Sequence, residues 1–132
     1  MDTNCLFVWQ GGRFERLDLG QICYIQSDRQ GCRVVSRSGA FALDRTLAEM
    51  ERRLDMSAAF CRVHDSIIVA LHWVEAFDFG YVKVAGNVLP LGKVYMFPFF
   101  SRVKRLPERE FVERKKGGPQ PERKGRKKWE LE

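Results

Sequence analysis

Apolar and polar positions alternate in short runs over most of this chain. Arg13 to Leu17, Ile22 to Ser27, Cys32 to Arg37, Ala40 to Leu43, Phe60 to Val63, Ser66 to Leu71, Trp73 to Asp78, Tyr81 to Ala85 and Val88 to Leu91 are brief and rich in β-branched or aromatic residues. Turn pairs separate them, among them Gln30-Gly31, Ser38-Gly39, Phe79-Gly80 and Gly86-Asn87. Runs of this length and punctuation predict β-strands, and their regular succession predicts an antiparallel sandwich or barrel.

One segment breaks that rhythm. Thr46 with Glu49 three residues on forms a capping box, and Leu47, Met50 and Leu54 then fall on one helical face, with Glu49 and Arg53 expected to pair on the other. The polar face carries mixed charge and no basic stripe, so this helix is expected to cover a sheet rather than to recognise a ligand. A second helix is expected from Lys93 to about Leu106. Pro98 lies in its middle, where it removes a backbone donor and clashes with the preceding turn, so a kink or a late start is expected there.

Composition adds a boundary. The chain has 132 residues, 45% of them hydrophobic, enough for one domain with a real core. Residues 1–106 hold 14 Lys and Arg against 11 Asp and Glu; residues 107–132 hold 9 against 6, which makes them about four times more basic per residue. The division predicts a globular domain over 1–106 and a basic tail over 107–132, with Gly117 to Glu132 disordered because so few apolar residues cannot offset the ordering entropy. Arg123, Lys124, Arg126, Lys127 and Lys128 bring five positive charges into six residues, which suits nonspecific phosphate contacts on a polyanion; a merely solubilising tail is the competing reading.

Uninterrupted apolar runs such as Ile67 to Leu71 and Met96 to Phe100 have five residues, far short of the roughly 20 that a membrane span needs. The N-terminus lacks the basic start and apolar stretch of a signal peptide. No membrane association is expected, and the localisation expected is cytoplasmic.

Enzymatic chemistry finds little support. Arg62-Val63-His64-Asp65-Ser66 runs straight into Ile67-Ile68-Val69-Ala70-Leu71 and contains the residue types of a hydrolase triad. Along an extended strand, however, His64 and Ser66 point one way and Asp65 the other, and no Gly-x-Ser-x-Gly elbow exists. No catalytic residue is therefore expected. Cys5, Cys23, Cys32 and Cys61 form no Cys-x-x-Cys pair, which points to buried free thiols rather than a metal site or a disulfide framework. Gly11-Gly12 and Gly117-Gly118 lack the context of phosphate-binding loops, and no cofactor is expected. What remains is a polar loop fixed to the mouth of a buried strand, a rigid platform for presenting side chains outward.

Four segments in register carry a resemblance. Ile22-Cys23-Tyr24-Ile25-Gln26-Ser27, the helix ending Glu51-Arg52-Arg53-Leu54, Phe60 through Val69, and Leu89-Pro90-Leu91-Gly92-Lys93-Val94-Tyr95 together resemble the LytTR-type DNA-binding domain over roughly residues 5 to 106. The resemblance implies a bacterial transcription regulator with a mainly β, elongated multi-sheet fold of about nine or ten short strands and one or two short helices. It also implies loops set into successive major grooves of double-stranded DNA, on paired direct-repeat sites bound by two protomers. About a dozen residues precede the first expected strand, so no receiver domain is expected ahead of the module, and a signal would arrive through a sensor or regulator protein, the tail or abundance.

Carried over residue by residue, three loops would meet DNA. In the first, Asp28 to Cys32, Arg29 and Gln30 could reach bases or phosphates, with a solvated turn as the plain alternative. In the second, His64 matches the family's histidine and faces DNA or ties the loop backbone; Ser66 caps the loop, and Arg62 is a candidate phosphate contact. Asp65 stands where the family usually has a basic or amide residue. A carboxylate near phosphate is repelled, yet it could accept from a cytosine amino group. In the third, Gly92 replaces the family's serine, Lys93 replaces its arginine, and Tyr95 matches the pattern as a packing residue or a contact.

Two rival functions stay open from sequence. One is a LytTR-like protein-interaction module that has lost specific DNA binding and modulates a related regulator. The other is RNA or single-strand binding through exposed aromatics among Phe97, Phe99 and Phe100, residues otherwise expected in the core.

Overall fold

Ile67-Ile68-Val69-Ala70 is apolar without interruption because its strand is buried on both faces, Ile67 and Val69 packing to one side and Ile68 and Ala70 to the other. It is the seventh of ten strands in a computed structural model that describes residues 5–54 and 59–106. In chain order these are β1 (Cys5–Gln10), β2 (Arg13–Asp18), β3 (Ile22–Asp28), β4 (Gly31–Ser36), β5 (Gly39–Leu43), helix α1 (Leu47–Arg53), β6 (Phe60–His64), β7 (Ile67–Ala70), β8 (Val74–Phe77), β9 (Tyr81–Val84), β10 (Asn87–Pro90) and helix α2 (Lys93–Arg102).

The strands form three antiparallel sheets: a β1-β2 hairpin, a five-stranded sheet in the order β5-β4-β3-β7-β6, and a three-stranded sheet in the order β10-β9-β8. Leu17, Ile25, Val34, Leu43, Leu47, Met50, Phe60 and Ile68 make one core, with Leu6 and Val8 of the hairpin packed against it. Tyr24, Val63, Ile67, Val69, Val82, Val84, Leu89 and Phe99 make the other, which joins the large sheet to the small sheet and α2. The mainly β expectation holds, with ten strands and two helices among the described residues.

Several details differ from the sequence-based expectations. The first strand is Cys5–Gln10, not Arg13 to Leu17: Gly11 and Gly12, at φ +64° and +84°, turn the chain so that Trp9 meets Phe14 and Leu6 meets Leu17. Gly31 and Gly39 do not sit inside their turns but open the returning strands, at φ +146° and +142°, after the turn residues Arg29-Gln30 and Arg37-Ser38. The β9–β10 turn is Ala85-Gly86, with Ala85 itself at φ +49°.

The helices depart as well. Thr46 Oγ1 accepts from Glu49 N at 3.1 Å, as a helix cap should, and Leu47, Met50 and Leu54 are buried. Glu49 pairs with Arg45 at 3.5 Å rather than with Arg53, because helical side chains lean toward the N-terminus. Helix α2 starts at Lys93 without delay, runs through Pro98 and ends at Arg102. Pro98 and Val94, whose carbonyl loses its donor, both lie on the exposed face, where water can take up the unpaired oxygen. Phe99 is fully buried and Phe100 half-buried, but Phe97 is 75% exposed, on the same outer face as Val94. The expected tail, including Arg123 to Lys128 and the disorder expected for Gly117 to Glu132, lies outside the described residues.

Candidate nucleic-acid interface

The hairpin turn β3–β4 and the hairpin turn β6–β7 lie at the same end of the five-stranded sheet, because β3 and β7 are antiparallel neighbours with Gln26 opposite Ile67. Ser27 N donates to Ser66 O at 2.9 Å and extends that pairing into the second turn. The third loop joins through a bulge. Between Arg62 and His64 the β6–β7 register shifts, and the Val63 carbonyl accepts instead from Gly92 N at 2.8 Å. Three segments far apart in sequence thus form one continuous polar edge.

In the first loop, Asp28 Oδ1 accepts from Gln30 N at 2.9 Å, an Asx turn that leaves the Arg29 and Gln30 side chains exposed. Gly31 is required below them: a β-carbon there would overlap the Leu43 carbonyl oxygen and stand 2.9 Å from Arg45 N. This close approach brings exposed Arg45 beside the first loop. Its side chain bonds its neighbours Asp44 and Glu49, and in sequence it reads only as a residue ahead of a helix cap.

The second loop is fixed from three directions. Ser66 N donates to His64 Nδ1 at 3.1 Å, and the Ser66 hydroxyl stands 2.9 Å from the same nitrogen. Since Nδ1 accepts, neutral His64 carries its proton on Nε2 and presents that N–H as a donor. Arg62 uses each of its three guanidinium nitrogens within the protein: Nε donates to His64 O at 2.9 Å, Nη1 to Glu51 Oε1 at 2.8 Å and Nη2 to Asp65 O. The Glu51 end ties the loop to α1. Nothing in the sequence announced that pair, because its members belong to different elements eleven residues apart.

Asp65 is exposed, and its Oδ1 accepts from Tyr95 OH at 2.7 Å rather than from His64. That bond to a carboxylate pushes the Tyr95 phenol above its ordinary value, with burial adding to the effect. Gly92 completes the junction: a β-carbon there would press to 3.2 Å of Tyr95 Cδ2 and 3.7 Å of His64 Cδ2. Lys93 is exposed at the first position of α2, whose N-cap Gly92 offers no side-chain cap; the Tyr95 amide donates to Gly92 O at 3.0 Å, and no side chain caps the amides of Lys93 and Val94.

Chemically, this edge offers donors from Arg29, Gln30, Lys93 and His64 and an acceptor from Asp65, on a rigid support. Charge in the loops is balanced, Arg29 and Lys93 against Asp28 and Asp65, which favours selective hydrogen bonding over bulk attraction. Among the described residues no three His, Cys, Asp or Glu side chains gather as metal ligands, the four cysteines are free, and no helix is long and apolar enough to cross a membrane.

Comparison with known proteins is consistent with that chemistry. The LytTr DNA-binding domain model matches residues 12–99. The CO-responsive transcriptional regulator RcoM of Rhodospirillum rubrum is 38% identical over 90 residues, which is 63% of this chain and 38% of the relative, so the chain spans well under half of that protein's length. A solved LytTr DNA-binding domain from a response regulator of Bacillus cereus superposes with a TM-score of 0.63 at 16% identity, covering 76% of this chain and 96% of that one. At that identity the likeness concerns the fold alone.

Proposed function

The chain belongs to the LytTR DNA-binding domain family, and we propose that it is a sequence-specific, double-stranded DNA-binding transcriptional regulator that sets its loops into successive major grooves. The observation that carries the reading is the hydrogen-bonded junction of the three loops, Ser27 to Ser66 and Val63 to Gly92, which gives one rigid edge rather than three independent tips. A rigid edge suits base reading, because ordering loops at the moment of binding would consume affinity.

In this reading Arg29, Gln30, His64 and Asp65 reach base edges, while Lys93 and the amides at the start of α2 hold a phosphate. Gly92, Ser66 and Tyr95 shape the edge, and Arg62 braces it from behind. The domain occupies residues 1–106, and the basic segment Arg123 to Lys128 adds salt-sensitive attraction without selectivity. Two protomers occupy paired direct repeats in the cytoplasm, and a sensor or regulator protein supplies the signal.

The outward Asp65 carboxylate favours a second reading, a module of the same fold that binds a related regulator instead of DNA. Selection of sites from random duplex DNA at about 150 mM salt, where nonspecific contacts are weakened, separates the two. A spaced direct repeat is the expected result. No enriched motif, with only salt-sensitive binding that vanishes on deleting residues 117–132, would leave the interaction module in its place.

A further inference from the structure

Asp65 is the residue of this edge that duplex DNA should tolerate least, unless something on the DNA specifically requires it. A carboxylate is repelled by phosphates, and it can only accept hydrogen bonds. Yet its geometry here is fixed rather than averted. Tyr95 OH holds Oδ1 at 2.7 Å, Arg62 Nη2 holds the residue's own carbonyl, and the side chain is exposed. Among the described residues Oδ2 accepts no hydrogen bond. The loop therefore presents a carboxylate oriented through Oδ1, beside the Nε2–H donor that the Ser66 amide imposes on His64.

From this arrangement we infer that Asp65 is a specificity-determining residue that accepts from the exocyclic amino group of a cytosine; the inference rests on the reading that this loop enters the major groove. Only two major-groove groups can donate, cytosine N4 and adenine N6. Adenine places the N7 lone pair next to its amino group, which suits an amide that donates and accepts at once and repels a carboxylate. Cytosine's amino group has no such acceptor beside it on its own ring. Guanine O6 and N7 and thymine O4 are acceptors and are rejected by the same charge. Tyr95 is then a positioning residue: its bond to Oδ1 fixes the orientation of the carboxylate and leaves Oδ2 unengaged for the contact.

The test compares binding sites selected from random duplex DNA by the full chain and by the Asp65→Asn and Tyr95→Phe variants. The native protein enriches cytosine at one position of its motif, and replacing that C·G pair by T·A weakens its binding about tenfold to a hundredfold. Asp65→Asn moves the preference at that position alone to adenine, whose N6 and N7 an amide bonds together. Tyr95→Phe keeps cytosine there but broadens the preference, without changing the rest of the motif. The inference is overturned if Asp65→Asn selects the native motif, or if the position that responds to Asp65 prefers another base in the native protein. A native protein that enriches no motif overturns this inference together with the DNA-reading function, so the native arm alone tells the two failures apart.

Discussion

The Tyr95 hydroxyl donates to Asp65 Oδ1 at 2.7 Å, a contact between residues 30 positions apart that joins the start of α2 to the tip of the β6–β7 turn. Because the hydrogen bond stabilises the protonated phenol, the native state holds that proton more tightly than the unfolded chain. The contribution to stability is therefore fully present below the ordinary tyrosine value of 10.0 and is lost as pH rises through the raised one. Ultraviolet titration of the native protein against Asp65→Asn should show the Tyr95 phenol losing its proton at lower pH in the variant. An unchanged titration in that variant would mean the bond does not persist in solution.

Arg62 joins α1 to the same turn through Glu51, at 2.8 Å. Both side chains are partly exposed, 22% for Arg62 and 34% for Glu51, so solvent discounts the pair. Arg62→Ala also removes the donors to two loop carbonyls and should cost about 1–2 kcal/mol in urea unfolding, whereas Glu51→Gln should cost under about 1. An Arg62→Ala loss within about 0.5 kcal/mol, typical of a neutral surface change, would contradict the bracing role.

Two glycines with nearly the same backbone differ in their surroundings. A β-carbon on Gly31 would overlap the Leu43 carbonyl, while one on Gly39 meets nothing within 4 Å; their φ values are +146° and +142°. Gly39→Ala should cost only the backbone strain, about 1 kcal/mol, and Gly31→Ala at least about 3, with displacement of the Arg29-Gln30 turn. Thermal or urea unfolding of the two variants side by side measures the difference, and equal costs would contradict the close packing beneath the first loop.

Burial pushes the thiols of Cys23, Cys32 and Cys61 above their ordinary value, which lowers the thiolate fraction at any given pH. Brief alkylation of the native protein should modify Cys5, which is half-buried, well before the other three, and all four should react once the chain is unfolded. The native state also retains these protons longer, so unfolding free energy should decline as pH rises past about 9. Rapid labelling of all four thiols in the folded state would contradict the packing of both cores.

Much of the fold was legible because it depends on local patterning. The strand period, the Thr46 cap and the apolar stripe Leu47, Met50 and Leu54 are short-range signals, and each appears where it was expected. The strand Cys5–Gln10 is harder to read, because Gly11-Gly12 declares itself a hairpin turn only once Leu6 lies opposite Leu17. The course of α2 through Pro98 is not legible locally, because the effect of Pro98 depends on which face of the helix meets solvent.

The chain's own order of residues determined the strands, the first helix, the three loops and, through their motifs, the family. Those features follow from side-chain period, turn chemistry and capping, which act over a few residues. Tertiary structure alone decided how the loops meet. The bonds Ser27 to Ser66, Val63 to Gly92, Arg62 to Glu51 and Tyr95 to Asp65 arise only once β3 lies against β7 and α2 against β6. It also decided what Asp65 offers: in sequence it reads as a carboxylate that would repel phosphate, and in the folded protein it is an exposed acceptor with one oxygen held by Tyr95.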